Sequence, residues 1–246
     1  MIVRPTKDGS LLLITQPDHA RLAATLISAW SAGVGVPVEV RAAVLYAIEQ
    51  HDNGWQEVDA WPVWNDATSR PYDFMDTPAA VRWEIWPRGV QRAAQNSPLA
   101  AALVAEHALR LHAQRRVEPS WSDFFSRIEA LQAGFLRRCT DETGLTRAAF
   151  DRSYDLLYVG DVLSLVFCNQ WTGPIEASGY RITLGHDNDV AVSPDPFNGA
   201  RVCFRLTARA IPDRTYRSDP DLRAAFRDAR PVTLTGSAAG VVASER

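Results

Sequence analysis

Apolar residues recur every three or four positions through most of the first 170 residues, with polar residues between them. This is the spacing of amphipathic α-helices, because side chains three and four positions apart lie on one helix face. One such stripe is formed by Leu22, Leu26, Ile27 and Trp30. The pattern predicts a series of helices that begin near Pro17, Pro37, Pro78, Pro98, Pro119 and Thr146.

Prolines, glycines and capping residues divide this region. Gly33, Gly35 and Pro37 are expected to break the chain before the second helix. Pro87 is expected to interrupt the segment that follows Pro78, since proline cannot donate a backbone hydrogen bond. Thr146 predicts the cap of a long helix that ends at about Cys168.

The pattern changes after Trp171 to alternating polar and apolar residues separated by turn residues. Such alternation predicts strands, and residues 219–229 predict a helix among them. Residues 237–246 contain no apolar side chain larger than valine and are expected to form a flexible tail. The predicted strands cover residues 180–184, 189–192, 202–208 and 232–235.

These patterns predict a mainly α fold class, a helical bundle with a small C-terminal α+β part. We expect a helical domain over residues 11–170 and a strand-rich subdomain over residues 171–236 packed on it. The apolar run from Leu11 to Ile14 is compatible with either a strand or the approach to a helix.

Composition excludes several classes of protein. The net charge of −3 gives no overall attraction to nucleic acid, so no nucleic-acid partner is expected. No window is apolar enough to span a membrane, and the start lacks a secretion signal. The three cysteines are widely spaced, which is typical of reduced thiols in a cytoplasmic protein.

The pair His51-Asp52 is the strongest candidate for a chemical site. It closes the apolar stripe of the second helix, and Asn53-Gly54 follows it. Adjacent residues can bind one metal ion only where the backbone turns between them. A helix end provides such a turn, and Gly54 is the residue expected just beyond it.

Three further side chains are candidate metal ligands. His19 and His107 lie on the apolar faces of their helices, and Asp161 lies in a nearly apolar run. A carboxylate buried there must be paired, metal-bound or protonated. His112 is five residues from His107, a rotation of roughly 140°, which favours a peripheral position for it. His186-Asp187 has the composition of a solvated turn.

The stretch from Asn53 to Pro78 is rich in tryptophan and proline and has no helical period. Long irregular segments of this kind are often binding walls. Trp55 and Trp61 are therefore candidates for contact with a substrate, although they are equally compatible with core anchors. Arg70 is a candidate for binding an anionic ligand.

The order His19, His51-Asp52, Asp161, each on a separate helix, resembles the HD-domain superfamily of metal-dependent phosphohydrolases. The resemblance covers roughly residues 11–170 and implies an HD-domain-like helical bundle. More narrowly, four segments and Pro194-Asp-Pro-Phe197 look like the bacterial family of unknown function 3891, which brings no established activity. The four segments are Gln16-Pro-Asp-His19, His51-Asp-Asn-Gly-Trp55, Arg70-Pro-Tyr-Asp-Phe74 and Asp161-Val-Leu-Ser164.

The resemblance implies a hydrolase of a small-molecule or nucleotide phosphoester, with Asp52 as catalytic residue. One or two divalent ions of iron, manganese, zinc or cobalt would be held by His19, His51, Asp52, Asp161 and, for a second ion, His107. Many superfamily members have a lysine where this chain has Trp55, which weakens the case for phosphate chemistry. A di-iron oxygenase and a non-catalytic ligand-binding protein are the alternatives. The expected partner is a small-molecule substrate, and a homo-oligomer is left open.

Overall fold

A computed structural model of the chain describes residues 1–31 and 35–241. Gly33, one of the expected helix breakers, lies outside these ranges, as do residues 242–246 of the expected tail. The helices of the described part are α1 (Gln16–Ser28), α2 (Val38–Gln50), α3 (Ala79–Ala94), α4 (Pro98–Leu111), α5 (Ser122–Thr143), α6 (Arg147–Asn169) and α7 (Asp219–Asp228). Within those ranges, none of the helices combines the length and apolar character that crossing a bilayer requires.

The helices α1, α4 and α6 begin at side-chain caps. The hydroxyl oxygens of Thr15, Ser97 and Thr146 each accept a hydrogen bond from the backbone N–H three residues later. Each cap satisfies one of the N–H groups that the first turn of a helix leaves unpaired. The predicted starts of these three helices are therefore confirmed.

Helix α3 continues through Pro87, so the predicted interruption at that residue is wrong. Pro87 removes one backbone donor from the helix. The neighbouring Ile85, Trp86 and Val90 are all buried in the core. Tertiary burial of this face outweighs the local preference of proline to end a helix.

The strands are β1 (Ile2–Pro5), β2 (Ser10–Ile14), β3 (Trp64–Asn65), β4 (Arg70–Pro71), β5 (Ile175–Ala177), β6 (Tyr180–Leu184), β7 (Asp189–Ser193), β8 (Arg201–Pro212) and β9 (Pro231–Gly240). Strands β3 and β4 form a small hairpin, and the other seven form one sheet in the order β1-β2-β8-β9-β7-β6-β5. All neighbours in this sheet are antiparallel except β7 and β9, which are parallel.

The sheet shows that the predicted mainly α fold class is wrong. Of the described residues 53% are helical and 20% lie in strands, and the fold is α/β. The N-terminal strand β2 pairs with β8, placing Leu11 opposite Ile211. A local sequence pattern carries no information about pairing between segments so far apart. The predicted sheet therefore contained only C-terminal strands.

The C-terminal strands and helix occur where alternation predicts them, but the sheet extends further than expected. Strand β9 continues to Gly240, and Ser237 and Ala238 are buried in it. Residues 237–240 therefore belong to the sheet, which corrects the expected start of the flexible tail. These four residues are small, so they lack the alternation of polar and large apolar residues that predicts a strand.

Strand β2 is covered on both faces, which explains its unbroken apolar sequence. Leu12 and Ile14 belong to the main core between the sheet and helices α1–α6. Leu11 and Leu13 belong to a smaller core on the opposite face, which includes Phe226 of α7. A strand buried on both faces has apolar residues at every position instead of every second one.

Gly160 brings α6 close to α1 and α2. A Cβ atom at this position would lie 2.8 Å from Ile27 Cγ1 and 3.4 Å from Ile48 Cγ2. The missing side chain lets the three helices approach closely just where α6 carries Asp161. The packing therefore positions the buried carboxylate relative to the ends of α1 and α2.

Candidate metal centre

The structure brings His19, His51, Asp52 and Asp161 together in the interior. His19 lies in the first turn of α1, the His51-Asp52 pair follows α2, and Asp161 lies in the middle of α6. His19 and His51 are at most 1% exposed, and the two carboxylates are less than 10% exposed. Segments distant in sequence thus place two imidazoles and two carboxylates in one buried cluster.

The backbone changes direction between the two members of the His51-Asp52 pair. His51 keeps helical backbone angles at the end of α2, whereas Asp52 has φ −111° and ψ 19°. Gly54 follows the pair, as expected, and its φ is not positive. Its role is close packing, because a Cβ there would lie 2.1 Å from the carbonyl oxygen of Ile85 in α3.

Two arginines of α3 fix the turn that follows the pair. Arg88 Nη2 donates to the carbonyl oxygen of Gly54 at 2.7 Å, and Arg92 Nη1 donates to that of Asn53 at 2.6 Å. Both guanidinium groups also form ion pairs with Glu57. These hydrogen bonds attach the turn to α3 through the backbone carbonyl groups of Asn53 and Gly54.

The hydrogen bonds of the two histidines determine which ring nitrogen faces the cluster. His51 Nδ1 donates to the carbonyl oxygen of Ile48 at 2.7 Å. Ser164 donates its hydroxyl hydrogen to the carbonyl oxygen of Asp161, so its oxygen accepts from His19 Nδ1 at 2.9 Å. Each ring therefore carries a proton on Nδ1, and in its neutral form each directs an Nε2 lone pair inward.

These lone pairs face carboxylate oxygens. His19 Nε2 lies 2.8 Å from Asp52 Oδ2. His51 Nε2 lies 3.4 Å from Asp161 Oδ1 and 3.6 Å from Asp52 Oδ2, and it is buried without a hydrogen-bond partner among the described residues. Lone pairs that face carboxylates across such short distances need a positive charge between them, either a proton or a metal ion.

The donor set fits a divalent transition metal. One donor atom from each of His19, His51 and Asp161 can be chosen so that all lie within 4.8 Å of one another. Metal–ligand bonds of about 2.0–2.2 Å allow two ligands of one ion to lie up to roughly 4.2 Å apart. Only a small inward movement would be needed, and the Nδ1 bonds to Ser164 and Ile48 already orient the rings.

Without a metal, the cluster holds a proton tightly. Burial lowers the pKa of His51, but Asp52 and Asp161 more than compensate and raise the pKa to about 9. Burial raises the pKa of Asp161, but its contact with His51 is the main reason that the pKa falls to about 2. A proton on His51 and a metal ion would thus compete for the same lone pair.

His107, on α4, lies at the edge of this group. Its Nε2 is 3.6 Å from Asp161 Oδ2, and its ring centroid is 5.1 Å from that of His51. Burial lowers the pKa of His107 to about 4, so the ring is neutral at pH 7. His107 is therefore available as a ligand on the far side of Asp161, and the second ion remains a prediction.

Of the three predicted substrate contacts, only Trp55 lines the cavity at the cluster. Arg70 forms an ion pair with Asp213, and Trp61 is 44% exposed and packs against Phe226. The placement of Arg70 and Trp61 gives neither a role in this cavity. Both belong to the segment that packs near α7, a contact that the sequence pattern did not reveal.

The cavity above the cluster has a volume of about 240 Å³. His19, Asp52, His107 and Asp161 line one end of it. The sequence analysis did not predict most of the other residues that line the cavity. Arg82 and Trp86 are four residues apart on α3, and this spacing, which places both on one helix face, was the available signal. The principal wall residues are Gln16, Trp55, Phe74, Arg82, Trp86 and His112.

His112 was expected to be peripheral to the metal ligands, and it lines the cavity apart from the tight ligand group. Trp86 Nε1 donates to His112 Nε2 at 2.9 Å, so the neutral ring carries its proton on Nδ1. Burial is the main reason that the pKa of His112 falls to about 3, and the positive charge of nearby Arg82 lowers it further. His186-Asp187 lies in an exposed turn, as predicted.

Comparison with protein-family models gives a match. The model of DUF3891, a family described as a protein of unknown function, matches residues 1–213. The chain therefore belongs to this family, and the match includes every residue of the buried cluster. Comparison with curated proteins and with solved structures gave no match.

Proposed function

We propose that this member of the DUF3891 family is a metal-dependent hydrolase of the HD type. Its substrate would be a phosphoester of a small molecule or nucleotide. The ligands of the first ion would be His19, His51, Asp52 and Asp161, and His107 would add a second ion. The order of these residues along the chain and their positions on separate helices support the resemblance to the HD superfamily.

The observation that carries this proposal is the buried Nε2 atom of His51. It has no hydrogen-bond partner among the described residues, and two carboxylates lie within 3.6 Å. A buried polar atom without a partner is costly unless a ligand satisfies it. A metal ion would satisfy this lone pair, that of His19 and both carboxylates together.

The metal ion and the residues that line the cavity would have different roles in the reaction. A bound transition metal would lower the pKa of a water molecule and stabilise charge on a phosphoryl oxygen. Asp52 is the proposed catalytic residue, because it lines the cavity and interactions with His51 and His19 lower its pKa despite burial. An ionised carboxylate in that position can accept a proton. Trp55 and Trp86 exclude bulk water, which strengthens electrostatic interactions in the cavity.

Arg82 supplies the positive charge that an anionic substrate requires. The sequence has Trp55 where many HD proteins have a lysine, which weakened the case for phosphate chemistry. The guanidinium of Arg82 lines the same cavity from α3. The cation is thus present on a different element, which supports an anionic substrate.

Metal analysis of protein purified without chelator tests the proposed site. We expect at least one transition-metal ion per chain in the wild type and much less in His51→Ala and Asp161→Ala. His186→Ala is the matched control, because His186 is exposed and remote from the cluster. Metal content well below one per chain in the wild type, unchanged in His51→Ala, would refute the proposal.

Activity is tested by incubating the metal-loaded protein with a panel of nucleotides and sugar phosphates and measuring phosphate release. We expect release that depends on the metal and is lost in Asp52→Asn. The His186→Ala variant should keep full activity. Bound metal without release from any phosphoester would argue against the hydrolase.

A di-iron oxygenase is the second candidate, and the aromatic wall of the cavity favours it. Trp55, Phe74 and Trp86 line most of the space beside the ligands, and His107 is available for a second iron. Iron content near two per chain together with substrate-dependent oxygen uptake would favour this reaction. Manganese, zinc or cobalt with phosphate release would favour the hydrolase.

A further inference from the structure

The cavity at the proposed metal centre is lined by a second group of polar side chains, and Trp86 packs against both groups. Its ring centroid lies 5.8 Å from that of His107, in the cluster, and 5.9 Å from that of His112. Arg82 and His112 line the same cavity as the cluster. One cavity therefore contains two groups of polar side chains with an aromatic ring in common.

Arg82 is held in place by backbone carbonyl groups. Its Nε donates to Thr77, and its Nη2 donates to Phe74 and Met75, at 2.8–3.1 Å. Its half-buried guanidinium forms no ion pair with a carboxylate in residues 1–31 and 35–241. This leaves a rigid positive charge on the cavity wall without a counter-ion.

The two acidic residues nearest to Arg82 in sequence are engaged elsewhere. Asp73 accepts hydrogen bonds from the backbone N–H groups of Val3 and Met75. Asp76 accepts a hydrogen bond from the side-chain amide of Asn65. These contacts hold the carboxylates in the loop, so they do not neutralise the guanidinium directly.

His112 adds a neutral donor to the same region. The bond from Trp86 occupies its Nε2, which leaves the proton on Nδ1. This N–H forms no hydrogen bond within the described part of the chain, although the residue is only 6% exposed. The Trp86 bond thus orients His112 as a donor in a cavity that already contains a cation.

We infer that Arg82 and His112 form an oxyanion subsite, and that the ligand of this cavity is a compact polar molecule that carries a phosphate or carboxylate group in addition to the phosphoester. This inference rests on the proposed function, because the metal centre would act on the phosphoester while the subsite binds the other anionic group. It narrows the substrate class that the proposed function leaves broad.

The size of the cavity supports a compact ligand. Sites for drug-sized molecules are about 300–1,000 Å³. The cavity is smaller, at about 240 Å³. Small phosphoesters that carry a second phosphate or a carboxylate are therefore better candidates than nucleotides.

Calorimetric titration of the full-length protein as purified tests the subsite. Inorganic phosphate and malonate are the two probes, and they distinguish a phosphate site from a carboxylate site. We expect one of them to bind and its Kd to rise about 10- to 100-fold in Arg82→Gln, as for the loss of charged hydrogen bonds. Arg82→Lys, which keeps the charge but not the planar donors, should bind with intermediate affinity.

Arg115→Gln is the matched control for general electrostatics. Arg115 is close enough to affect the pKa of both Arg82 and His112, but it pairs with Glu118 and does not line the cavity. Its removal should change the Kd less than about twofold, which is typical of screened surface charges. His112→Phe removes the neutral donor while leaving Arg82 in place, so it tests the subsite independently if Arg82→Gln fails to fold.

Unchanged affinity for both probes in Arg82→Gln and His112→Phe would overturn the subsite, even if the protein contains metal and releases phosphate. Failure of both probes to bind the wild type would also overturn it. Loss of binding in the two variants, in protein that contains no metal, would support the subsite and refute the proposed function. Metal content measured on the same samples separates these outcomes.

Discussion

Metal-free protein should become less stable as the pH rises from 7 to 8.5. His51 is the cause, because its pKa is raised from 6.5 to about 9 between the two carboxylates. A raised pKa stabilises the folded state at low pH, where His51 is protonated in the native protein. That stabilisation is complete below pH 6.5 and is lost as the pH approaches 9.

The magnitude follows from the difference between the two pKa values. At about 1.4 kcal/mol per pH unit, the whole difference corresponds to about 3 kcal/mol. Between pH 7 and pH 8.5 the free energy of unfolding should fall by about 1.5 kcal/mol. The low pKa values of His107, about 4, and His112, about 3, act mainly below pH 7 and change this difference by only about 0.3 kcal/mol in total. Burial raises the pKa of Cys168, which becomes important only near pH 9.

Metal-saturated protein should behave differently in the same interval. A histidine that binds a metal through Nε2 carries no proton there, so the native state neither gains nor loses one as the pH changes. The unfolded state binds a proton at His51 only below about pH 6.5. The stability of the metal-bound protein should therefore rise towards pH 6.5 and stay level above it.

Urea unfolding, followed by tryptophan fluorescence at fixed ionic strength, measures both curves. One series contains chelator and the other contains saturating metal. His51→Gln in chelator should lose the pH slope, whereas His186→Gln should keep it because His186 is exposed. Equal stability of chelated wild type at pH 7 and pH 8.5 would show that the cluster does not hold a proton on His51.

Three further substitutions test particular contacts. His107→Gln should reduce metal content from about two ions to about one, whereas a purely structural role predicts unchanged metal and a loss of about 1–3 kcal/mol in stability. Ser164→Ala should weaken metal binding about 10- to 100-fold in a metal titration, because it removes the acceptor that orients a ligating imidazole. Ser153→Ala on the same helix should leave metal affinity unchanged. Gly54→Ala should lower the free energy of unfolding by about 3 kcal/mol or more, since its Cβ would lie 2.1 Å from a backbone carbonyl oxygen. Gly134→Ala, which has open space around it, should raise that free energy by about 0.5–1 kcal/mol.

The amino-acid sequence by itself determined the helix starts and the residues that form the cluster. Thr15, Ser97 and Thr146 act within one helical turn, so their effect is visible locally. Asp161 was predictable for a related reason, because a carboxylate within an apolar helical segment has to be buried. These features depend on neighbours three or four residues away, which the sequence shows directly.

The tertiary structure alone decided the sheet and most of the cavity wall. Strand β2 is identified by its pairing with β8, nearly 200 residues later, and Pro87 remains in α3 because the core covers that face. Arg82 reaches the cavity, whereas Arg70 pairs with Asp213. Their different roles come from contacts between distant segments, and a local pattern carries no information about those contacts.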